Sequence, residues 1–180
     1  MANKHNFFSH DRFLTTSEDI KKTIKKCPTC TKLTNNCSFL MTDTAFSTFK
    51  LPTNIKKAFF FIFISNEQAS IGHWISLALY RINSACLLID PLNNTPKSSI
   101  LHIKLFCQLN SLNLHSFNAI FQTPSSKACG YLNAYFCSRV SILPLNKILE
   151  LRSAIKNQTV ETTEINMIRY VQNHFKITLL

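Results

Sequence analysis

The chain has 180 residues, 46% of them hydrophobic and 15 of them Phe, which is enough for one compact domain with a sizeable core. Its net charge is +11, with ten Lys/Arg against four Asp/Glu up to Lys57 and ten against five beyond, so the excess is spread and not confined to a tail. The longest apolar run, Ala58 to Ile64, is far short of the roughly 20 residues needed to span a bilayer, and the seven cysteines are odd in number and unevenly spread, which argues against a disulfide framework.

The first residues lack the apolar stretch of a secretory leader, and free thiols suit a reducing compartment, so the expectation is a soluble, intracellular protein. Thr16 or Ser17 can cap a helix running to Lys26, with Glu18 and Asp19 in its first turn and Lys21, Lys22, Lys25 and Lys26 towards its end, the order the helix dipole favours. Pro28 ends it, and 27–38 reads as a polar loop. Lys57 to Ser65 reads as a buried strand, His73 to Arg81 as a second and Ala85 to Asp90 as a third, with Ile82-Asn83-Ser84 turning between the last two. Ser98 to Leu109 has helical spacing, with Ile100, Ile103, Leu105 and Leu109 apolar. Ser116 to Gln122 reads as a further strand, followed by a turn at Pro124-Ser125-Ser126. Three helices are then expected, over Cys129–Val140, Leu145–Lys156 and Glu161–Phe175. Together these elements predict a single α+β domain.

Four residues at the ends of these elements carry chemistry. His73 opens one strand and Asp90 ends its hairpin partner. Neighbouring strands lie about 4.8 Å apart, so the carboxylate can reach the imidazole, fix its tautomer and stabilise the imidazolium. Cys129 opens an apolar helix, where unpaired backbone N–H groups favour thiolate over thiol, and a histidine partner completes a nucleophile. The Cys129 N–H and the Gln122 side-chain amide are the expected donors to an oxyanion. Gly is very scarce, yet Gly72 and Gly130 each sit beside one of these residues; both are expected to line the substrate cleft, where Gly130 would let a substrate backbone approach closely.

Gly72-His73-Trp74, then Asp90-Pro91, then Gln122 followed by Ala128-Cys129-Gly130, resembles the adenovirus-type cysteine proteases. More broadly the set is similar to the His–Asp–Gln–Cys clan that includes SUMO-specific and poxvirus core proteases. The likeness covers roughly residues 55–140. It implies His73 as base, Asp90 as its orienter, Gln122 as oxyanion donor and Cys129 as nucleophile, with Trp74 packed beside the histidine to shape the cleft. It implies a central mixed sheet flanked by helices, with the Cys129 helix at its heart, in the circularly rearranged papain-like arrangement of the adenovirus protease. It further implies a monomer needing no cofactor, which acts in a host nucleus or cytoplasm and in the virion. Its substrates would be capsid and core precursors, cut at glycine-containing sites. The positive charge would suit DNA as a partner and activator. Activation by a peptide joined through a cysteine, known in this family, is not carried over to Cys107.

Weaker signals have plainer readings. Cys27-Pro-Thr-Cys30 with Cys37 supplies three zinc ligands, for which His5 or His10 would have to be the fourth; free cysteines on a polar loop is the preferred reading. Cys86 and Cys137 read as core, as does the aromatic run Phe59 to Phe63. Two rival functions stand beside a precursor-cleaving endopeptidase. One is a SUMO- or ubiquitin-removing isopeptidase. The other is a basic nucleic-acid-binding structural protein without catalysis.

Overall fold

The central strands read as unbroken apolar runs because both of their faces are covered. In the computed structural model, which describes residues 16–34, 41–65 and 72–177, five strands form one sheet in sequence order: β1 (Met41–Thr42), β2 (Lys57–Ile64), β3 (His73–Tyr80), β4 (Ala85–Ile89) and β5 (Asn113–Ser116). The three central strands are antiparallel neighbours, while β1 and β5 join the edges in parallel, so the sheet is mixed. The β3–β4 connection is one turn of 3-10 helix, Arg81–Asn83, closed by Ser84 in the left-handed region at φ 48.

Strand alternation sends two residue sets to two cores. Phe60, Ile62, Ile75, Leu77 and Leu79 pack under α3 (Lys97–Leu109) and a 3-10 segment, Asp43–Thr48, with Phe46 and Phe106 edge-on between them. Phe59, Phe61, Ala78, Leu87 and Ile89 face the other layer. That layer holds α1 (Ser17–Lys25), α2 (Pro28–Thr34), α4 (Cys129–Ile142), α5 (Leu145–Lys156) and α6 (Val160–His174). The helices therefore flank a mixed sheet, as expected.

The α4 helix is buried along almost its whole length, and both its ends are anchored. At its C-terminal end the Lys57 ammonium donates to the Val140 and Leu143 carbonyls at 2.7 and 2.9 Å, where a cation complements the helix dipole. At the other end Asn133, fully buried, donates to the carbonyls of Cys129 and Trp74, both at 2.8 Å, and accepts from the Ser76 hydroxyl at 2.6 Å. These three bonds lock the first turn of α4 against the start of β3.

Several expectations need correction. The polar loop expected over 27–38 contains α2: proline is pre-organised for a first helical position, and Cys30, Leu33 and Thr34 bury one face at helical spacing. Cys27 and Cys30 are accordingly buried beside Cys137, whose hydrogen bond lowers the Cys30 pKa to about 7. The strand expected over 116–122 lies earlier, at Asn113–Ser116. Phe117, Ala119 and Phe121 do alternate inward, but only Phe117 still reaches β4, through its N–H to the Leu88 carbonyl; Asn118 then turns left-handed at φ 50 and the rest runs past the end of β4 with no strand to pair with. On α3 the buried face is Ser99, Ile103, Phe106 and Cys107, whereas Leu105 and Leu109 point outward. Phe63 is only partly buried and lines a cleft, unlike the rest of its aromatic run. The short β1 and the 3-10 segment after it have no counterpart in the sequence reading.

Candidate active site

His73 stands at the first position of β3, and Asp90 follows the last residue of β4. The ladder pairs Ser76 with Ile89, so the two side chains meet just beyond the paired ends of the hairpin. The His73 Nε2 and Asp90 Oδ1 lie 2.7 Å apart, with the carboxylate almost wholly buried. Asp90 is held from three further sides. Its Oδ1 accepts the Leu92 N–H at 2.9 Å, and its Oδ2 accepts the Asn94 N–H and the Thr95 hydroxyl at 2.9 and 2.7 Å. Pro91 forces the turn that brings these donors back onto the carboxylate.

With Nε2 engaged by Asp90, Nδ1 is the ring nitrogen left for the Cys129 thiol, which lies within hydrogen-bonding reach of the imidazole. Burial by itself would lower the His73 pKa. Hydrogen bonding and charge attraction from Asp90, joined by Cys129, outweigh that and raise it to about 9. For Asp90 burial pushes the carboxyl up, but His73, Thr95 and the Leu92 N–H more than offset it and hold the carboxyl below its ordinary range.

Cys129 is the first residue of α4. Ala128, the residue before it, offers no side-chain cap, and the first turn carries no acidic residue. The positive end of the helix is thus left facing the sulfur. The Ser126 hydroxyl accepts the Ala128 N–H at 3.1 Å and shapes the approach to the helix.

Gln122 lies in the irregular stretch before this turn and not at the end of a strand. Its Nε2 donates one hydrogen to the Ser126 carbonyl at 2.8 Å, leaving the other free to point into the cleft, while its buried Oε1 has no hydrogen-bond partner. His73, Trp74, Gln122 and Cys129 all line one cleft of about 700 Å³, with Phe63, Gly72 and Lys127 on its walls.

The other two expected cleft residues part company here. Gly72 does line the cleft, and a Cβ built on it would stand 1.8 Å from the tip of the Phe63 ring, which itself packs at a tilt of 53° against Trp74 with centroids 4.9 Å apart. Only glycine lets the aromatic wall close this far. Gly130 instead is buried inside the first turn of α4 and is not part of the cleft lining.

Two supports have no counterpart in the sequence analysis: Asn133 and Thr95. Asn133 left a signal, being a polar residue four positions after Cys129 within the apolar stretch that runs to Cys137. Thr95 left none, because ordinary turns carry such residues everywhere. Among the described residues no group of three or more His, Cys, Asp or Glu side chains is placed to hold a metal ion. Cys37, His5 and His10, considered as zinc ligands with Cys27 and Cys30, lie outside the described residues. No helix among the described residues is long and apolar enough to cross a membrane.

No family model matches the chain, and no curated protein does. Among the solved structures that bear a distant likeness to the chain is the SUMO protease Ulp1 with the catalytic cysteine oxidized to a sulfinic acid, at a TM-score of 0.48 and 14% identity, over 89% of this chain and 81% of that one. A likeness this faint carries no weight about chemistry. What the protein does is read from its own side chains.

Proposed function

We propose that the protein is a cysteine endopeptidase with Cys129 as nucleophile, His73 as base and then acid, Asp90 as the group that orients His73, and Gln122 as an oxyanion donor. The observation that supports this most strongly is the relay of contacts in one cleft. A buried carboxylate holds one imidazole nitrogen at 2.7 Å while the other nitrogen is left to a thiol at an uncapped helix tip.

The chemistry follows from the geometry. His73 Nδ1 takes the proton from Cys129 Sγ, and Asp90 stabilises the resulting imidazolium. The sulfur adds to a peptide carbonyl, whose oxygen becomes negative and accepts the free Gln122 N–H and the Cys129 backbone N–H. Collapse of this intermediate breaks the C–N bond, and the imidazolium returns its proton to the leaving amine. Water, deprotonated by the same imidazole, then cleaves the thioester and frees the thiol. Trp74 and Phe63 wall the cleft on the side of β2 and β3.

The reading extends to precursors of virus or mobile-element capsids and cores as substrates, cut at glycine-containing sites. It extends also to the circularly rearranged papain-like arrangement of the adenovirus protease, to a monomer working in a host cell or virion, and to DNA as an activating partner suited by the net charge of +11. The test is cleavage of glycine-containing peptides and of candidate precursors by wild-type protein and by Cys129→Ala, with circular dichroism to show that both are folded. Cleavage by the wild type alone is expected. Full activity in Cys129→Ala would end the reading. Labelling by an electrophile built on the C-terminus of SUMO or ubiquitin, with precursor peptides left intact, would move the substrate to a conjugated modifier.

A further inference from the structure

Glu164 sits on the inner side of α6, about 6% exposed, and among the described residues no cation is paired with it. A buried carboxylate is costly unless its oxygens are satisfied. Here Oε1 has no hydrogen-bond partner, and both bonds to Oε2 come from a single residue: the Thr123 hydroxyl at 2.9 Å and the Thr123 N–H at 3.3 Å. Thr123 immediately follows Gln122. Phe117 N–H closes on the Leu88 carbonyl of β4 at 2.8 Å, and Phe117 and Phe121 pack on Phe136, but from Asn118 to Ala128 the backbone pairs with no strand. Phe121 N–H reaches the Pro91 carbonyl at 3.0 Å on one side, and Gln122 and Ala128 are tied to Ser126 on the other. Between them the Thr123 carbonyl accepts the Ser126 N–H at 3.0 Å, while its N–H and hydroxyl are held by Glu164. The position of Thr123 sets where the Gln122 side chain starts, and hence where its free N–H points.

We infer that Glu164 is a positioning residue which, through its two hydrogen bonds to Thr123, aims the Gln122 amide at the oxyanion; the inference rests on the protease reading. A glutamate that only staples α6 to a loop would act on stability alone. One that aims the amide acts on the transition state and spares substrate binding and the thiol–imidazole pair.

The test compares Glu164→Ala, Glu164→Gln and Thr123→Val in the full chain. It measures kcat and KM on a cleaved peptide, melting temperature, and the rate of Cys129 alkylation by iodoacetamide, which needs no oxyanion donor. Glu164→Ala should lower kcat by about 10- to 100-fold, as small misplacements of catalytic groups do, with KM and alkylation within about 3-fold of wild type. Glu164→Gln keeps an oxygen that can accept from Thr123 and should recover most of the loss. Thr123→Val, which removes only the hydroxyl, should fall between them and carries the test if Glu164→Ala does not fold. In a Gln122→Ala background, Glu164→Ala should cost little more, since both changes remove one function. Unchanged kcat in folded Glu164→Ala would overturn the proposal. So would parallel losses in alkylation, failure of Glu164→Gln to recover activity, or losses that add to those of Gln122→Ala. If the wild-type protein cleaves nothing, the protease reading fails and the proposal falls with it; if it cleaves and Glu164→Ala cleaves equally well, only the proposal falls.

Discussion

Replacing Asp90 by Asn keeps the shape of the side chain and removes its charge from His73. A histidine that titrates at about 9 and not at the ordinary 6.5 holds its proton about 3 kcal/mol more firmly. Burial works against that proton, and the attraction of Asp90, with a share from Cys129, overcomes it. In Asp90→Asn the burial stays and the main attraction goes, so the ring should titrate at or below 6.5. The sign for stability follows. His73 has a raised folded pKa, so its contribution is complete below about 6.5 and is lost as pH rises through about 9. The stability difference between wild type and Asp90→Asn should therefore shrink by up to about 3 kcal/mol between pH 6 and pH 9.5. The imidazole resonance of His73, followed by NMR against pH, reads the shift directly, and urea unfolding at several pH values reads the linkage. Peptide cleavage should drop by about 10²- to 10⁴-fold, since an amide favours the wrong tautomer. A His73 ring still titrating near 9 in Asp90→Asn would refute the reasoning, because another group would then be holding the proton.

Other outcomes test other parts of the site. Gln122→Ala should lower kcat by about 10²- to 10³-fold while leaving KM and Cys129 alkylation nearly unchanged, measured by steady-state kinetics and timed alkylation. Asn133→Ala leaves the Ser76 hydroxyl and the Trp74 and Cys129 carbonyls with lost partners in a dry core, and should destabilise the fold by about 2–4 kcal/mol in urea titration. Gly72→Ala drives a methyl group into the Phe63 ring, so it should impair cleavage with little change in melting temperature, and adding Phe63→Leu should restore part of the activity.

Three of the four proposed site residues, His73, Asp90 and Cys129, are legible because each sits at the end of an element whose boundary the sequence marks. Pro91 stops the strand before Asp90, and the apolar run from Cys129 onward begins sharply after a polar turn. Gln122 lies outside the strand expected for it, although the role proposed for it does not depend on that placement. Inward alternation at Phe117, Ala119 and Phe121 looks like a strand in any sequence, and only the length of β4 reveals that no partner remains for it. The α2 helix was hidden for a related reason. Its seven residues are short and mostly polar, and the burial of Cys30 and Leu33 against the layer around α4 holds them helical more than their own propensity does. Glu164 illustrates the remaining gap: contact with a residue 41 positions away is a property of packing, which no local pattern announces.

The most direct measurement is to treat the protein with a peptide-derived electrophile ending in glycine and to locate the adduct by mass spectrometry among its seven cysteines. The account predicts a single modification at Cys129, formed quickly in the wild type and lost in His73→Ala. Modification spread over several thiols, or a Cys129 adduct forming at the same rate without His73, would contradict it.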